Sequence, residues 1–585
     1  MNNYISFKNI YNQIREIEAD GLEGMYQSSF FVLRNYTIEP IIPFIQYHLF
    51  NSNINPSIEF GNYNNYYQEI IDNNSNLYTG DTPDIIILSL ILEIFDPKYN
   101  TYNWSGKETI ERLKLLYELL KSKTSSLNII NTFIPPYFSE IGISNTKDIN
   151  NPIYEVAKIN SFIREYVKTN SGQFFLVDFD NIARILGEEK TYDYRFWYNS
   201  KLPFKKEFLY FFSAEIAKIV KALKGKSQKC LVLDCDNTLW GGIIGEDGIN
   251  NIKLDPNEYP GNAYYDFQKN ILKLYHKGVL LAINSKNNEN DVWEVLNNHP
   301  HSILKKEHFA AWRINWQNKA KNISEIVSEL NIGIDSLVYI DDNPMECDLV
   351  KESHPEVHVI KVPKNIYNLP NLVLRHGLFD TLSINSLDSQ RTTLYIAEKK
   401  RTKTQEKYNN IDQFLKSLNI KTLIHKAKEN EIPRIAQLTQ KTNQFNLTTI
   451  RYSEIDIANF INNNDSEIYT LTASDKYGNL GLTGVLIAKI NKNTCFFDSF
   501  LMSCRVLGRK LDESFVSYCI DDIRKNYNIK KWEASYIKTQ KNKQVLNFWE
   551  KFDFYVKSEK KDVKYYQVDN SKVKNIYYKY VSINK

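Results

Sequence analysis

Residues 230–242 read Cys-Leu-Val-Leu-Asp-Cys-Asp-Asn-Thr-Leu-Trp-Gly-Gly, an apolar run that ends in two carboxylates one residue apart. Such a run marks a strand buried on both faces of a parallel sheet, and strands of that kind present their chemistry at the C-terminal end. Residues i and i+2 of an extended segment point to the same side, so Asp234 and Asp236 can face one reacting atom while Cys235 turns away. Two acidic groups at one strand tip repel each other unless a cation or a shared proton relieves the charge. A divalent metal is the natural answer.

The pattern recurs downstream. Residues 278–285, Gly-Val-Leu-Leu-Ala-Ile-Asn-Ser, form a second apolar strand ending in the hydroxyl of Ser285, followed by Lys286, Asn287 and Asn288. Lys319 opens a helical pattern, with Lys321 close enough to compete for its role. The strand of residues 336–340 delivers Asp341 and Asp342, with Asn343, Pro344 and Glu346 behind. An isolated acidic pair more often caps a turn; a set of strand tips and a helix start in this order does not fit that reading.

In this order the strings resemble the motifs of the haloacid-dehalogenase (HAD) superfamily of phosphoryl-transfer enzymes. The resemblance implies that Asp234 is the nucleophile forming an aspartyl-phosphate and that Asp236 protonates the leaving group and later activates water. Ser285 and Lys319 would hold the phosphoryl oxygens, with Thr238, Lys286 and Asn287 contacting substrate. Asp234, Asp236, Asp341 and Asp342 would form the Mg2+ site, which suits all-oxygen ligands. The stretches from Thr238 to Ser285 and from Ser285 to Lys319 are too short for a large cap domain. A capless site suits a substrate that is bulky, protein-borne or covered by another domain. Gly241, Gly242, Gly245 and Gly248 suggest a hairpin flap beside it.

The 585 residues suffice for about three to four domains. A net charge of +4 is small for this length and demands neither a nucleic-acid nor a membrane partner. The six cysteines show no C-x-x-C pair, which fits a reduced, cytoplasmic setting. The start lacks a signal-peptide core, and residues 85–92 are too short to span a bilayer.

The fold expected is a multidomain α/β chain with an α/β domain over 1–225, a capless Rossmann-like core over 226–385, a helical connector over 386–419, and an α+β domain over 420–585. In the first domain, strands are expected at 30–33, 84–90 and 174–178, with helices at 39–49 and 104–123. Its order and the turn after the first strand resemble a degenerate SGNH-hydrolase-like domain. Asn35 or Thr37 stands where such a hydrolase would have its serine, and no histidine occurs between His48 and His276. Docking or recognition is therefore the better reading. In the last domain, strands at 467–472, 481–490 and 495–502 lead into Cys504-Arg505-Val-Leu-Gly508-Arg509 and a helix at 511–525. A strand, a basic glycine-containing turn and a helix start make a pyrophosphate cradle. This one resembles the acyl-CoA-binding turn of GNAT acyltransferases, with Arg505 and Gly508 as ligand contacts, although Lys510 replaces the last small residue.

Together with His308-Phe-Ala-Ala-Trp-Arg-Ile-Asn-Trp316, Ile340-Asp-Asp-Asn-Pro344 and Gln437-Leu-Thr-Gln-Lys-Thr-Asn-Gln-Phe-Asn446, these strings resemble the FkbH-like family along nearly the whole chain. The family comprises HAD-type glyceryl transferase/phosphatases of polyketide and related pathways. The resemblance implies capture of the glyceryl unit of 1,3-bisphosphoglycerate, loss of phosphate, and delivery to the phosphopantetheine thiol of an acyl carrier protein, with the GNAT-like cleft holding the pantetheine arm. Some relatives have a cysteine where this chain has Asn284. Cys347 and Cys504 are the remaining candidate acyl carriers, beside direct transfer to the carrier thiol. The alternatives are a HAD phosphatase or acyl-modifying enzyme of surface-glycan synthesis and a non-catalytic assembly-line scaffold.

Overall fold

The computed structural model describes residues 7–584 except 100, 139–140, 145–148, 376, 383–390, 406, 409, 540 and 579–580. The chain divides into two compact units, Met1–Leu223 with Ser453–Asp456, and Lys224–Tyr452 with Ile457–Lys585.

The first unit is built on a five-stranded parallel sheet of β1 (Tyr26–Arg34), β2 (Ile54–Phe60), β3 (Ile85–Ser89), β4 (Leu127–Asn131) and β5 (Phe174–Val177), in the order β2-β1-β3-β4-β5. The strand order reverses between β1 and β3, where open α/β sheets leave a crevice at the strand C-termini. Strands β2 and β4 escape the sequence pattern. The first lies at the edge and carries Pro56, which an edge tolerates; the second is fully buried yet contains Asn128 and Asn131. The helix Lys107–Lys123 starts later than expected because the indole of Trp104 is fixed in the preceding turn, its Nε1 donating to Asp96 Oδ2 at 2.9 Å. At the crevice, buried Asn35 is spent on the main chain: its Nδ2 donates to Ile91 O and its Oδ1 accepts from Ile91 N, both at 2.9 Å. Thr37 Oγ1 donates to Ser200 O.

The second unit holds two sheets. Five parallel strands, β6 (Cys230–Leu233), β7 (Leu280–Ser285), β8 (Phe309–Ile314), β9 (Leu337–Asp341) and β10 (His358–Lys361), run in the order β10-β9-β6-β7-β8. Alternate residues of β6 feed two cores: Leu231 and Leu233 pack on one face, Cys230 and Val232 on the other. That two-sided burial explains the unbroken apolar run. The helices Arg391–Gln405 and Ile411–Ser417 follow, while residues 386–390 of the expected connector lie outside the described residues.

An eight-stranded mixed sheet completes the unit: β11 (Lys421–Lys426), β12 (Ser466–Asp475), β13 (Gly478–Asn491), β14 (Thr494–Met502), β15 (Lys531–Ile537), β16 (Tyr555–Lys560), β17 (Val563–Asp569) and β18 (Ser582–Asn584), in the order β16-β17-β15-β14-β13-β12-β11-β18. Neighbours are antiparallel except β14–β15 and β11–β18. The parallel pair β14–β15 is joined by the largely buried helix Leu511–Asn526, the crossover that a parallel connection requires.

Candidate active site

The carboxylates, hydroxyl and lysine singled out in the sequence meet at the C-terminal ends of β6, β7 and β9. Asp234 Oδ1 accepts from Ser285 Oγ at 2.6 Å and lies 3.0 Å from Lys319 Nζ. The same ammonium lies 2.6 Å from Asp341 Oδ2. Lys319 is buried, whereas its competitor Lys321 is exposed. The helix that Lys319 opens is capped by Asn318, whose side chain accepts from Ala320 N and Lys321 N.

Ligand atoms of Asp234, Asp341 and Asp342 all lie within 4.8 Å of one another, a hard all-oxygen set fit for a small divalent cation. The carboxylate of Asp236, expected in that set, is not part of it. Its Oδ1 accepts from Trp240 Nε1 at 2.9 Å and Ile244 N at 3.1 Å, and its Oδ2 from Asn287 Nδ2 at 3.0 Å. It is thereby oriented by three donors, as a proton-transfer group needs to be. Asn287 also donates to Ser285 Oγ at 3.1 Å. Lys286 instead pairs with Glu346 at 2.6 Å. Thr238 is fully buried, and its Oγ1 has no hydrogen-bond partner among the described residues.

The expected hairpin flap takes another form. Gly241 pairs with Lys253 in one antiparallel bridge, and residues 244–247 make a single helical turn that donates Ile244 N to Asp236. A Cβ on Gly242, whose φ is +96°, would come within 2.5 Å of Asp247 Oδ2, which itself accepts from Ile243 N. The segment is thus tied to the acid rather than hinged above it.

Burial pushes the Asp234 carboxyl up to about 6, against the pull of Lys319 and with a further push from Asp341. Burial works to lower the Lys319 ammonium, yet the facing charges of Asp234 and Asp341 prevail and hold it above its usual range. Burial and the neighbouring Asp341 raise Asp342.

Two further contributors lie outside the motifs. Tyr339, fully buried, donates its hydroxyl to Asp341 Oδ2. It stands two residues before Asp341 on one strand, so period-two geometry could have revealed it. Asn284, one residue before Ser285, donates to Lys319 O at 3.0 Å and accepts from Asn322 Nδ2 at 3.0 Å. It clamps the start of the lysine-bearing helix to β7. No local pattern marks that role.

Among the thiols, Cys235 faces the apolar core, and burial raises it far above its usual range. Burial pushes Cys347 up to about 12, and its Sγ donates to Asp341 O. The side chain of Cys504 lies outside the described residues. His308 and Trp312 are packing residues: the His308 ring stacks edgewise on Tyr275, and Trp312 Nε1 donates to Glu289 at 2.9 Å.

Residues 45–221 match the model of the FkbH N-terminal domain, and residues 229–372 match that of the NLI interacting factor-like phosphatases. Among solved structures, the chain is similar to the N-terminal part of protein BF1531 from Bacteroides fragilis, described as containing a phosphatase domain complexed with Mg. Identity is 26%, over 64% of this chain and 99% of that one, at a TM-score of 0.58. The ribosomal-protein-S18-alanine N-acetyltransferase of Escherichia coli matches at 12% identity over 27% of this chain and 99% of its own, at a TM-score of 0.22. No curated protein matches the chain.

Proposed function

From the premise that the chain is an FkbH-like HAD-type phosphatase, we propose that it is an Mg2+-dependent glyceryl transferase/phosphatase. It would take the glyceryl unit of 1,3-bisphosphoglycerate to the phosphopantetheine thiol of an acyl carrier protein, with loss of phosphate, for polyketide or related biosynthesis. The observation that carries the reading is Lys319, buried and reaching both Asp234 and Asp341 beside the Ser285 hydroxyl. Buried positive charge between two carboxylates, with a hydroxyl alongside, is a receptor for a phosphoryl group at a nucleophile.

The donor set of Asp234, Asp341 and Asp342 fits Mg2+, which when bound would neutralise phosphoryl charge. The residues supply the rest. Asp234 attacks phosphorus of the C3 phosphate monoester; the bond from phosphorus to the C3 oxygen breaks, and that oxygen takes a proton from Asp236. Water, deprotonated by Asp236, then cleaves the aspartyl-phosphate to release phosphate. At C1 the carrier thiolate attacks the acyl-phosphate carbonyl, and phosphate leaves as the thioester forms. Cys235 and Cys347 are buried, protonated thiols, which disfavours either as the acyl carrier and leaves Cys504 beside direct transfer to the carrier thiol. No domain is inserted between β6 and β8, as suits a protein-borne acceptor. The first unit, whose SGNH-like crevice spends Asn35 on the main chain, is read as a docking module for the carrier. Among the described residues, no helix is long and apolar enough to cross a membrane.

Mass spectrometry of a phosphopantetheinylated carrier incubated with the chain, Mg2+ and 1,3-bisphosphoglycerate is expected to show a glyceryl adduct without phosphate. Turnover of a phosphorylated polyol or sugar with no carrier adduct would instead favour a free-standing phosphatase of surface-glycan synthesis.

The raised Asp234 carboxyl sets the pH dependence of metal binding. Its contribution to stability in the metal-free chain is present below the ordinary carboxylate value of about 4 and lost as pH rises through about 6. Ligation needs the ionised form, so Mg2+ gains affinity over the same window. The rise in thermal midpoint on adding Mg2+ is expected to be severalfold larger at pH 7.5 than at pH 5. Equal rises would remove Asp234 from the ligand set.

A further inference from the structure

The parallel strands β14 and β15 are paired only from Thr494 to Phe497 and from Lys531 to Ala534. Beyond that register β14 continues to Met502 and β15 to Ile537, so the two diverge. Diverging parallel strands leave main-chain donors and acceptors facing an opening. An extended ligand with amide groups, such as a pantetheine arm, could bind there as an added strand.

In this chain the opening is filled from within. Asn446 forms an antiparallel bridge with Leu501. Met502 N donates to Phe445 O at 2.9 Å, and Leu447 N donates to Phe500 O at 3.0 Å. On the opposite wall, Ile537 N donates to Leu447 O at 2.8 Å. The segment therefore bonds to both strands at once. Its side chains hold it there. Leu447 is fully buried, and the Phe445 ring packs 5.6 Å from both Phe500 and Phe548. Asn446, also fully buried, accepts from Thr449 N at 2.8 Å, while its own carbonyl accepts from Asn542 Nδ2 at 3.0 Å.

The basic turn beside the opening is likewise engaged by the chain. Arg509, 4% exposed, pairs with Glu398 at 2.7 Å and Asp475 at 3.4 Å. Asp475 is also held by Arg401 through two contacts of 2.7 Å. A pyrophosphate entering this turn would meet two carboxylates already in place, one of them from the helix Arg391–Gln405.

The inserted segment continues to the phosphatase core. Gln444 Nε2 donates to Asn331 Oδ1, Lys229 Nζ donates to Lys441 O at 3.2 Å, and Lys541 pairs with Asp335. Lys229 precedes β6, while Asn331 and Asp335 precede β9. These contacts thus lie at the strand N-termini, the end opposite Asp234, Ser285 and Asp341.

We propose that the C-terminal domain is a closed buttress rather than an acyl-CoA or pantetheine site. Its own segment, residues 445–448, is the strand that fills the β14–β15 opening, and the string Gln437–Asn446 serves to join this domain to the base of the phosphatase core. Any thiol acceptor must then reach Asp234 from the strand C-termini, and Arg505 and Gly508 are turn residues rather than ligand contacts. The inference goes beyond the proposed function and stands whatever the phosphatase substrate is.

Hydrogen exchange read by mass spectrometry on the full chain tests it, with and without about 1 mM CoA or pantetheine. The amides of Leu447, Met502 and Ile537 are expected to exchange at least about 100-fold slower than unstructured amides, unchanged by either probe. Calorimetry is expected to show no saturable binding. Free exchange at these amides without probe, tenfold or greater protection conferred by CoA or pantetheine, or 1:1 binding with Kd below about 100 μM would overturn the proposal.

Discussion

Replacing Asp234 by asparagine is expected to lower phosphate release by about 10^4-fold or more, because the substitution removes the atom that bonds to phosphorus. The amide is nearly isosteric, so Ser285 Oγ and Lys319 Nζ keep an oxygen to meet at the same place. Folding is not expected to suffer. The carboxylate is buried and its ionisation opposed by burial and by Asp341, so a neutral group there relieves charge in the metal-free chain. The assay is phosphate release from a small phosphomonoester at saturating Mg2+, with circular dichroism to confirm the fold. A loss smaller than tenfold would remove Asp234 as nucleophile, and no phosphate release by the parent chain would leave the non-catalytic scaffold as the better description.

Lys319→Met should have the largest effect on stability. Lys319 is 3% exposed, and its ammonium sits between two buried carboxylates. Removing one partner of such a set leaves buried charge uncompensated, which costs about 3–5 kcal/mol. The metal-free variant, followed by urea unfolding in chelator, should lose about that much at pH 8. The loss should be smaller at pH 5. With the ammonium gone, the carboxyls rise further, and a raised carboxyl contributes stability at low pH that disappears as pH increases. Mg2+ should restore part of the stability, since it compensates the same carboxylates. Activity should stay down by about 10^2–10^3-fold even then, because a charge aimed at the phosphoryl oxygens is missing. A variant as stable as the parent in chelator at pH 8 would contradict the burial and pairing described here.

Asp234, Ser285, Lys319 and Asp341 were legible because each stands at the end of an apolar strand or the start of a helix, positions that a parallel sheet brings together. Even so, spacing left Lys319 and Lys321 undecided. The helix phase settles the matter by turning Lys319 inward and leaving Lys321 exposed. Tyr339 is within reach of period-two geometry, two residues before Asp341 on one strand, whereas Asn284 is not legible, since a buried asparagine in a strand carries no motif of its own. Its hydrogen bond to the Lys319 carbonyl exists only once β7 and the lysine helix are packed. Strands β2 and β4 carry no clear pattern for a related reason. The proline and asparagines that weaken their pattern are accommodated by an edge position and by side-chain bonds to neighbouring main chain, such as Asn131 with Leu90.

The amino-acid order by itself determined the alternation of apolar strands with amphipathic helices and the placement of acidic, hydroxyl and ammonium groups at their ends. Those features follow from local periodicity and from the burial of parallel strands, which a linear chain displays openly. Tertiary structure alone decided that the Asp236 carboxylate is bound by three donors instead of joining the acidic cluster. It alone decided, too, that residues 445–448 lie between β14 and β15. The first outcome depends on where the packed turn and strand aim the N–H groups of Trp240, Ile244 and Asn287; the second depends on which main-chain donors and acceptors β14 and β15 leave unpaired, and the segment that satisfies them comes from a part of the chain that the sequence does not mark as a neighbour.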